Sequence, residues 1–563
     1  MTRACGVQAL TYKRGYGSFV LSKIEIQNSP LPTARRTVSP LKIFQRLSSA
    51  PTNPHTPEAP RTFDVAELYR GPVAATTDAD PATPPLDEKL RQAYFWIVNT
   101  AIISPHYDIE YNSVPPQSFA VGDGTSRLTL PSAQSYSGYV LLPLLTFATR
   151  RKCLFIGGPG RGKTASALLM GVLAGYSVRD VRRAMQHGHP QMTIADLLGT
   201  PLPADLVAAQ RIEDIRISWR AWLGMRVKIV DEYNRIPTRT QSALLTVMAD
   251  NYAEVLDHIY ECPESAWFLT ANDDKGGGTY QVIEALRDRI DVIVQALAFN
   301  PRFLSDLLAR IEERIRPEEV VPRQIVFTES EVDRMQQTIL AVALREPVRR
   351  RIEFFASQFE LCDVAADQFE YKTKDTARLA GAEWHTLVAR DTGRDRLKDL
   401  GCQTTNGVSV RALQTLIHYA KAIAYFRGNA VVELEDVRQI LPFVLHDKLA
   451  PDLDAPFFEA AGNGAFRTDR IGWLRRVFDL SCAEYDQLDL DREDTVGALI
   501  AELRRGLEGV NERQVRDRLT RIERLVGELT KGRKLYGHLY DDLLVLKYLH
   551  QRYTNYLRWF EAR

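Results

Sequence analysis

The segment Gly157-Gly158-Pro159-Gly160-Arg161-Gly162-Lys163-Thr164 constrains this chain more than any other. It follows an apolar run, Cys153-Leu154-Phe155-Ile156, and precedes Ala165-Ser166-Ala167-Leu168-Leu169-Met170, whose composition predicts a helix. This is G-x-x-x-x-G-K-[ST] between a strand and a helix. The glycines let backbone N–H groups turn inward around phosphate oxygens with no Cβ in the way. Lys163 can pair the β- and γ-phosphates, Thr164 can ligate Mg²⁺, and the helix N-terminus adds its own positive end. The bland alternative is a glycine-rich turn, but the pattern arises by chance in only on the order of a few per cent of chains this long. The segment therefore implies a nucleotide-binding α/β domain.

At 563 residues the chain has room for two to four domains, each with its own core. Basic and acidic residues nearly cancel, leaving +1, so no global field recruits nucleic acid or an anionic membrane. The six cysteines form no C-x-x-C and no metal-ligand spacing, which fits reduced thiols and a cytoplasmic setting. No apolar run is long enough to span a bilayer.

Residues 1–83 are rich in Pro, Thr, Ser, Ala and Arg and lack a sustained period, which predicts a low-complexity, disordered segment. Its Arg-rich, acid-poor start also resembles a transit peptide, although the prolines oppose a long amphipathic helix. Structure is expected from Leu86, where Leu86–Ile103 carries apolar residues at helical intervals, and Tyr139–Thr149 reads as an apolar helix broken by Pro143. Strand and helix patterns then alternate to about residue 300, indicating a mostly parallel sheet with helices on both faces. Val227-Lys228-Ile229-Val230 ends in Asp231-Glu232, and Ala266–Ala271 ends in Asn272. An open α/β sheet puts its ligand beyond such strand ends. The expected organisation is 1–83 disordered, 84–300 an α/β core with N-terminal helices, 301–450 a helical lid, and 451–563 a C-terminal helical module. In that module Val515, Leu519, Ile522, Leu525, Val526 and Leu529 mark one face, and Leu543, Leu544, Leu546, Leu549, Tyr553, Tyr556, Leu557 and Phe560 another. Such stripes are more often core than binding face.

Asp231 at its strand end can hold Mg²⁺ through water, and Glu232 beside it can deprotonate an attacking water. An acidic turn after a buried strand is common in α/β folds; downstream of a P-loop it points to hydrolysis. Here the chain resembles the AAA+ ATPases, and more narrowly their MoxR branch. Asp231-Glu232-Tyr233-Asn234-Arg235-Ile236-Pro237 and the following Thr240-Gln241-Ser242-Ala243-Leu244-Leu245 are similar to that branch's Walker B signature. Thr193-Ile194-Ala195-Asp196-Leu197-Leu198-Gly199 resembles its T-x-x-D-L-x-G segment, Thr270-Ala271-Asn272 its sensor 1 strand, and Gly407-Val408-Ser409-Val410-Arg411 its G-x-S-x-R lid motif.

The resemblance implies a P-loop α/β core, a helical lid and a helical extension, with ATP and Mg²⁺ as cofactors. It implies that Asn272 helps place the water, that Arg411 reaches the γ-phosphate in its own subunit, and that an arginine finger serves the neighbour's site. Arg289, in Asp288-Arg289-Ile290, is the preferred finger, with Arg287 second; a surface salt bridge is the commoner fate of an arginine. It further implies a homo-oligomer, most simply a hexamer, acting on a protein client with a von Willebrand A-domain partner. Ile290 stands where the family has Phe, no Val-Gly-Gln signature precedes the P-loop, and roughly 360–400 is an insertion. The adenine contacts are therefore left unassigned. Two other readings remain: a metal-chelatase or restriction-type motor, and a nucleotide-gated scaffold without catalysis. Near-zero charge argues against nucleic acid. His187-x-His189 is a weak metal pair, Lys531-Gly532-Arg533-Lys534 reads as a solvated turn, and Gly276-Gly277-Gly278 as a flexible loop.

Overall fold

A computed structural model of the chain describes residues 85–122, 126–272, 282, 284–314, 316–359, 400–491, 494–507, 509–530 and 537–562. The expected disordered segment, the Gly276–Gly278 loop, the 360–399 insertion and the basic cluster at 531–534 lie outside these residues.

Five parallel strands form the central sheet, in the order Val292–Gln295, Lys152–Ile156, Ala266–Ala271, Val227–Asp231, Gln186–His187. Near-continuous apolar runs make four of these strands because both faces of the sheet are covered there; the two-residue edge strand Gln186–His187 is polar. Alternate side chains divide accordingly: Cys153, Phe155, Phe268, Val292 and Val294 enter one core, while Leu154, Trp267, Leu269 and Ile293 enter the other. The first core is shared with the helices Gly138–Thr149 and Lys163–Leu173, the second with Thr238–Asp250. Lys228 is the exception in its strand. Its ammonium is buried, donates to Met225 O at 2.8 Å and Ser265 Oγ at 2.5 Å, and burial pushes it down to about 8.

The apolar helix before the P-loop strand is not broken at Pro143; it runs unbroken from Gly138 to Thr149. Almost every residue of it is buried, and that packing outweighs the roughly 3 kcal/mol that an interior proline costs.

The lid helices Val410–Phe426 and Leu434–Leu445 pack on each other, Val410–Phe426 also on helices Leu86–Trp96 and Gly138–Thr149, and Leu434–Leu445 on helix Arg470–Gln487. Asp291 ties lid to sheet: it accepts from the Lys152 N–H at 2.9 Å and from Thr415 Oγ1 at 2.6 Å. The expected division at 450 does not coincide with a break in packing. Helix Arg470–Gln487 places Trp473, Leu474, Val477 and Phe478 in the same hydrophobic core as the lid. The sequence predicts helix across 451–563 but marks no apolar face on this helix, so it could not say what the helix would meet. The helices Thr495–Arg504, Glu512–Thr530 and Gly537–Glu561 instead share a cluster of their own, built on Val515, Leu519, Ile522, Leu546, Leu549 and Tyr553. Those stripes are core. Among the described residues no helix is long and apolar enough to cross a membrane.

Candidate nucleotide site

The P-loop leaves its strand through Gly157 (φ 146°), and Gly160 and Gly162 also have positive φ. A Cβ at Gly157 would lie 2.6 Å from the Ala296 carbonyl oxygen, so only glycine lets the loop pass this close to the neighbouring strand end. Gly162 opens helix Lys163–Leu173 with no side-chain cap, which leaves the first N–H groups for a ligand. Lys163 Nζ donates to Gly157 O (2.6 Å), Gly158 O (2.8 Å) and Asn272 Oδ1 (2.9 Å). Pro159, Gly160 and Arg161 form the tip, with Arg161 Nη1 donating to Ala296 O at 3.2 Å.

Beyond the two adjacent strand ends the carboxylates converge on this loop. Thr164 Oγ1 donates to Asp231 Oδ1 at 3.0 Å, and Asn272 Nδ2 donates to Glu232 Oε1 at 2.9 Å. Asn272 thus joins the lysine to the glutamate. Glu232 has φ 53°, a left-handed conformation that turns it away from its strand, and Arg235 lies 3.3 Å from its carboxylate. Thr164 and Asp231 supply two hard oxygens at one point, which suits Mg²⁺, an ion that takes few protein ligands and keeps much of its water.

Two contributors escaped the sequence reading. Thr270 Oγ1 donates to Asp231 Oδ1 at 2.5 Å and accepts the Glu232 N–H at 2.9 Å, so one hydroxyl sets both acids. The edge strand Gln186–His187 brings the Gly188 N–H to the Asp231 carbonyl at 2.7 Å and His187 Nδ1 to 3.5 Å from Asp231 Oδ2. His187 is therefore a neighbour of the acid pair, and among the described residues no group of three or more His, Cys, Asp and Glu is placed to hold a metal.

Arg411 and Arg289 stand apart from this cluster. Ser409 caps helix Val410–Phe426 and donates to Asp288 Oδ1 at 3.4 Å, while the Arg411 guanidinium pairs with the same Asp288 carboxylate. Arg289, the next residue, lies at the surface and donates to Ala285 O at 3.0 Å; Arg287 faces Asp447 at 3.5 Å.

On the other flank of the P-loop lies a cavity of about 1030 Å³. Its walls include the strap Ile102–Tyr107, Ala165 and Ser166 of the P-loop helix, and Phe443 and His446 of the lid. Ser166 Oγ donates at 3.1 Å to Tyr139, whose hydroxyl burial pushes up to about 12. No sequence signal marked this wall, because it is assembled from distant segments.

Residues 152–292 match the model of the ATPase family associated with various cellular activities (AAA), and residues 401–465 that of the AAA lid domain. Chaperone MoxR1 of Mycobacterium tuberculosis is 25% identical over 258 residues, which is 45% of this chain and 59% of that protein. Protein MoxR of Paracoccus denitrificans is 26% identical over 330 residues, 54% of this chain and 82% of that one. The chain carries an AAA ATPase domain with its lid and is similar to MoxR proteins. Among solved structures, a Cytophaga hutchinsonii protein named for an inferred ATPase activity is 20% identical, with a TM-score of 0.42 over 60% of this chain and 88% of that one. At that score the likeness adds nothing to the assignment. The expected fold, a parallel-sheet P-loop core with a lid and helical C-terminal region, is the one observed. In this AAA-type domain the lid motif stands on Asp288, the acid directly before Arg289.

Proposed function

We propose that this chain hydrolyses ATP and uses the cycle to remodel, mature or activate a protein client. The observation that carries the reading is the hydrogen-bonded run Lys163–Asn272–Glu232, lying beside Thr164–Asp231. It joins a phosphate-binding cation, a metal-binding pair and a base in one group. Lys163 and the loop N–H groups hold the β- and γ-phosphates, and Thr164 and Asp231 hold Mg²⁺. When bound, the ion neutralises phosphate charge. Glu232 takes the proton of the attacking water, and Asn272 fixes the direction of that carboxylate. Arg411 reaches the γ-phosphate once it leaves Asp288.

Nothing in this set supplies a cation on the far side of the transferred group. Arg289, at the surface, is suited to do so for a neighbour in a ring, most simply a hexamer, and such a finger contributes a factor of about 10³–10⁵. The name of the mycobacterial relative supports a chaperone-like role. A von Willebrand A-domain partner fits the same reading. A non-catalytic scaffold would have no use for an oriented Glu232.

The test separates binding from turnover. Lys163→Ala should lose ATP affinity, and Glu232→Gln should bind ATP without releasing phosphate. Turnover per subunit should rise with protein concentration. Arg289→Ala should be slow alone and partly rescued by mixing with Glu232→Gln. Full turnover by a monomer, independent of concentration, would remove the ring and the role of Arg289.

A further inference from the structure

The cavity and the acid pair lie on opposite flanks of the P-loop. Pro159, Gly160, Arg161 and Gly162 line the cavity, whereas Asp231, Glu232 and Asn272 do not. A ligand held by its phosphates between Lys163 and the loop N–H groups, with its terminal phosphate toward Glu232, must extend its other end into this space. At about 1030 Å³ the space lies at the upper end of the roughly 300–1,000 Å³ usual for small-molecule sites. Its far wall belongs to neither family match. Asp469, Ile471, Gly472 and Arg475 line it, all beyond the lid match that ends at residue 465.

These residues open helix Arg470–Gln487. Asp469 caps it by accepting the Gly472 N–H at 2.8 Å, and a Cβ on Gly472 would lie 2.2 Å from Asp469 Oδ2. Glycine leaves room for the Asp469 carboxylate beside the helix start. One turn on, Arg475 Nη2 donates to the Asp108 carbonyl and to Gln439 Oε1 at 3.2 Å, joining strap, lid and helix at the cavity rim. Among the described residues its Nε has no acceptor. The Asp108 carboxylate is committed to the Gly138 N–H at 2.6 Å. A guanidinium has five N–H donors and no acceptor, so beside Glu110 and Asp469 in the same lining Arg475 is the residue able to donate to a ligand's acceptor atoms. Ile471 offers apolar surface next to it.

We propose that helix Arg470–Gln487 closes the nucleoside end of the nucleotide site, with Arg475 donating to an acceptor atom of the ribose or base and Ile471 packing against it. The proposal rests on the nucleotide-binding reading above and gives the segment after the lid a part in selecting the ligand. A nucleoside triphosphate meets this wall; inorganic triphosphate, which ends at the P-loop, does not.

The experiment compares Mg²⁺-ATP with Mg²⁺-triphosphate by titration calorimetry on the full chain. Arg475→Gln and Ile471→Trp should each weaken ATP about tenfold, the loss of about one charge-assisted hydrogen bond or of the room for the nucleoside, and leave triphosphate unchanged. Arg475→Lys should recover part of the ATP affinity. Lys163→Ala should weaken both ligands and so reports on the P-loop separately. Unchanged ATP affinity in both variants, or equal loss of ATP and triphosphate, would overturn the proposal. Wild-type protein that binds neither ligand would sink the nucleotide reading itself, a result that cannot be confused with the other two.

Discussion

Gly188 offers a sharp test of how the acid pair is held. It is buried, its N–H donates to the Asp231 carbonyl at 2.7 Å, and it follows the two-residue edge strand. A Cβ there would lie 2.2 Å from Glu232 O, 2.9 Å from Glu232 C and 3.1 Å from Ile236 Cγ1. The nearest atoms are backbone, so no side chain can swing aside. Ordinary contact begins near 3.5 Å, so the Glu232 turn and the Gly188 loop must separate by roughly 1 Å. A displacement of that size at a catalytic group can cost about 10²-fold in rate, and the overpacking about 1–3 kcal/mol in stability. Gly188→Ala should therefore turn over ATP about a hundredfold more slowly. Its nucleotide affinity should change little, because the P-loop is untouched. Titration with Mg²⁺-ATP, phosphate release and a urea melt on one preparation separate the three effects. Wild-type turnover in a protein that has lost stability would refute the coupling between this loop and Glu232.

Three further outcomes follow from the same geometry. Asp288→Asn should release Arg411 and tighten ATP binding, and the gain should vanish in an Arg411→Ala background; additive effects in titrations of the four proteins would show that the two do not act as a pair. A chain ending at 450 should aggregate, whereas one ending at 491 should fold and bind ATP. The shorter chain lacks Trp473, Leu474, Val477 and Phe478, each worth about 1.5–3 kcal/mol of burial against a total stability of about 5–15 kcal/mol. Light scattering and nucleotide titration decide between them. Burial, with Asp494 adding to it, raises Asp542 from 3.8 to about 7. The folded form then holds the proton that the unfolded form releases, so stability falls as pH rises from about 4 to 7 and levels off above. Asp542→Asn should raise the melting temperature at pH 8 and not at pH 3; an equal gain at both would remove this cause.

The parts of the site legible in the sequence are those whose chemistry sits in consecutive residues. Gly157–Thr164, Asp231-Glu232 and Asn272 follow strands long and apolar enough to be seen. Thr270 lies within Thr270-Ala271-Asn272, yet its contacts with Asp231 and Glu232 span 39 and 38 positions, and no local pattern encodes such a contact. The edge strand at Gln186–His187 is too short to leave a period, so the sequence offers His187 only as part of a weak metal pair. Pro143 read as a break because its penalty is local, whereas the burial that outweighs it is tertiary. The sequence groups all of 451–563 as one module, yet helix Arg470–Gln487 packs with the lid, for a 3.6-residue period names a face and not what covers it.

Glu232 has one more consequence, for anyone who would engineer this protein. A non-glycine residue held at φ 53° costs about 1–2 kcal/mol, and asparagine tolerates that conformation better than glutamate does. Selection for heat tolerance alone would reward Glu232→Asn, which relaxes the backbone and removes the carboxylate. The survivors of such a screen would be sturdier and inert, so any library built on this scaffold has to be scored for phosphate release from its first round.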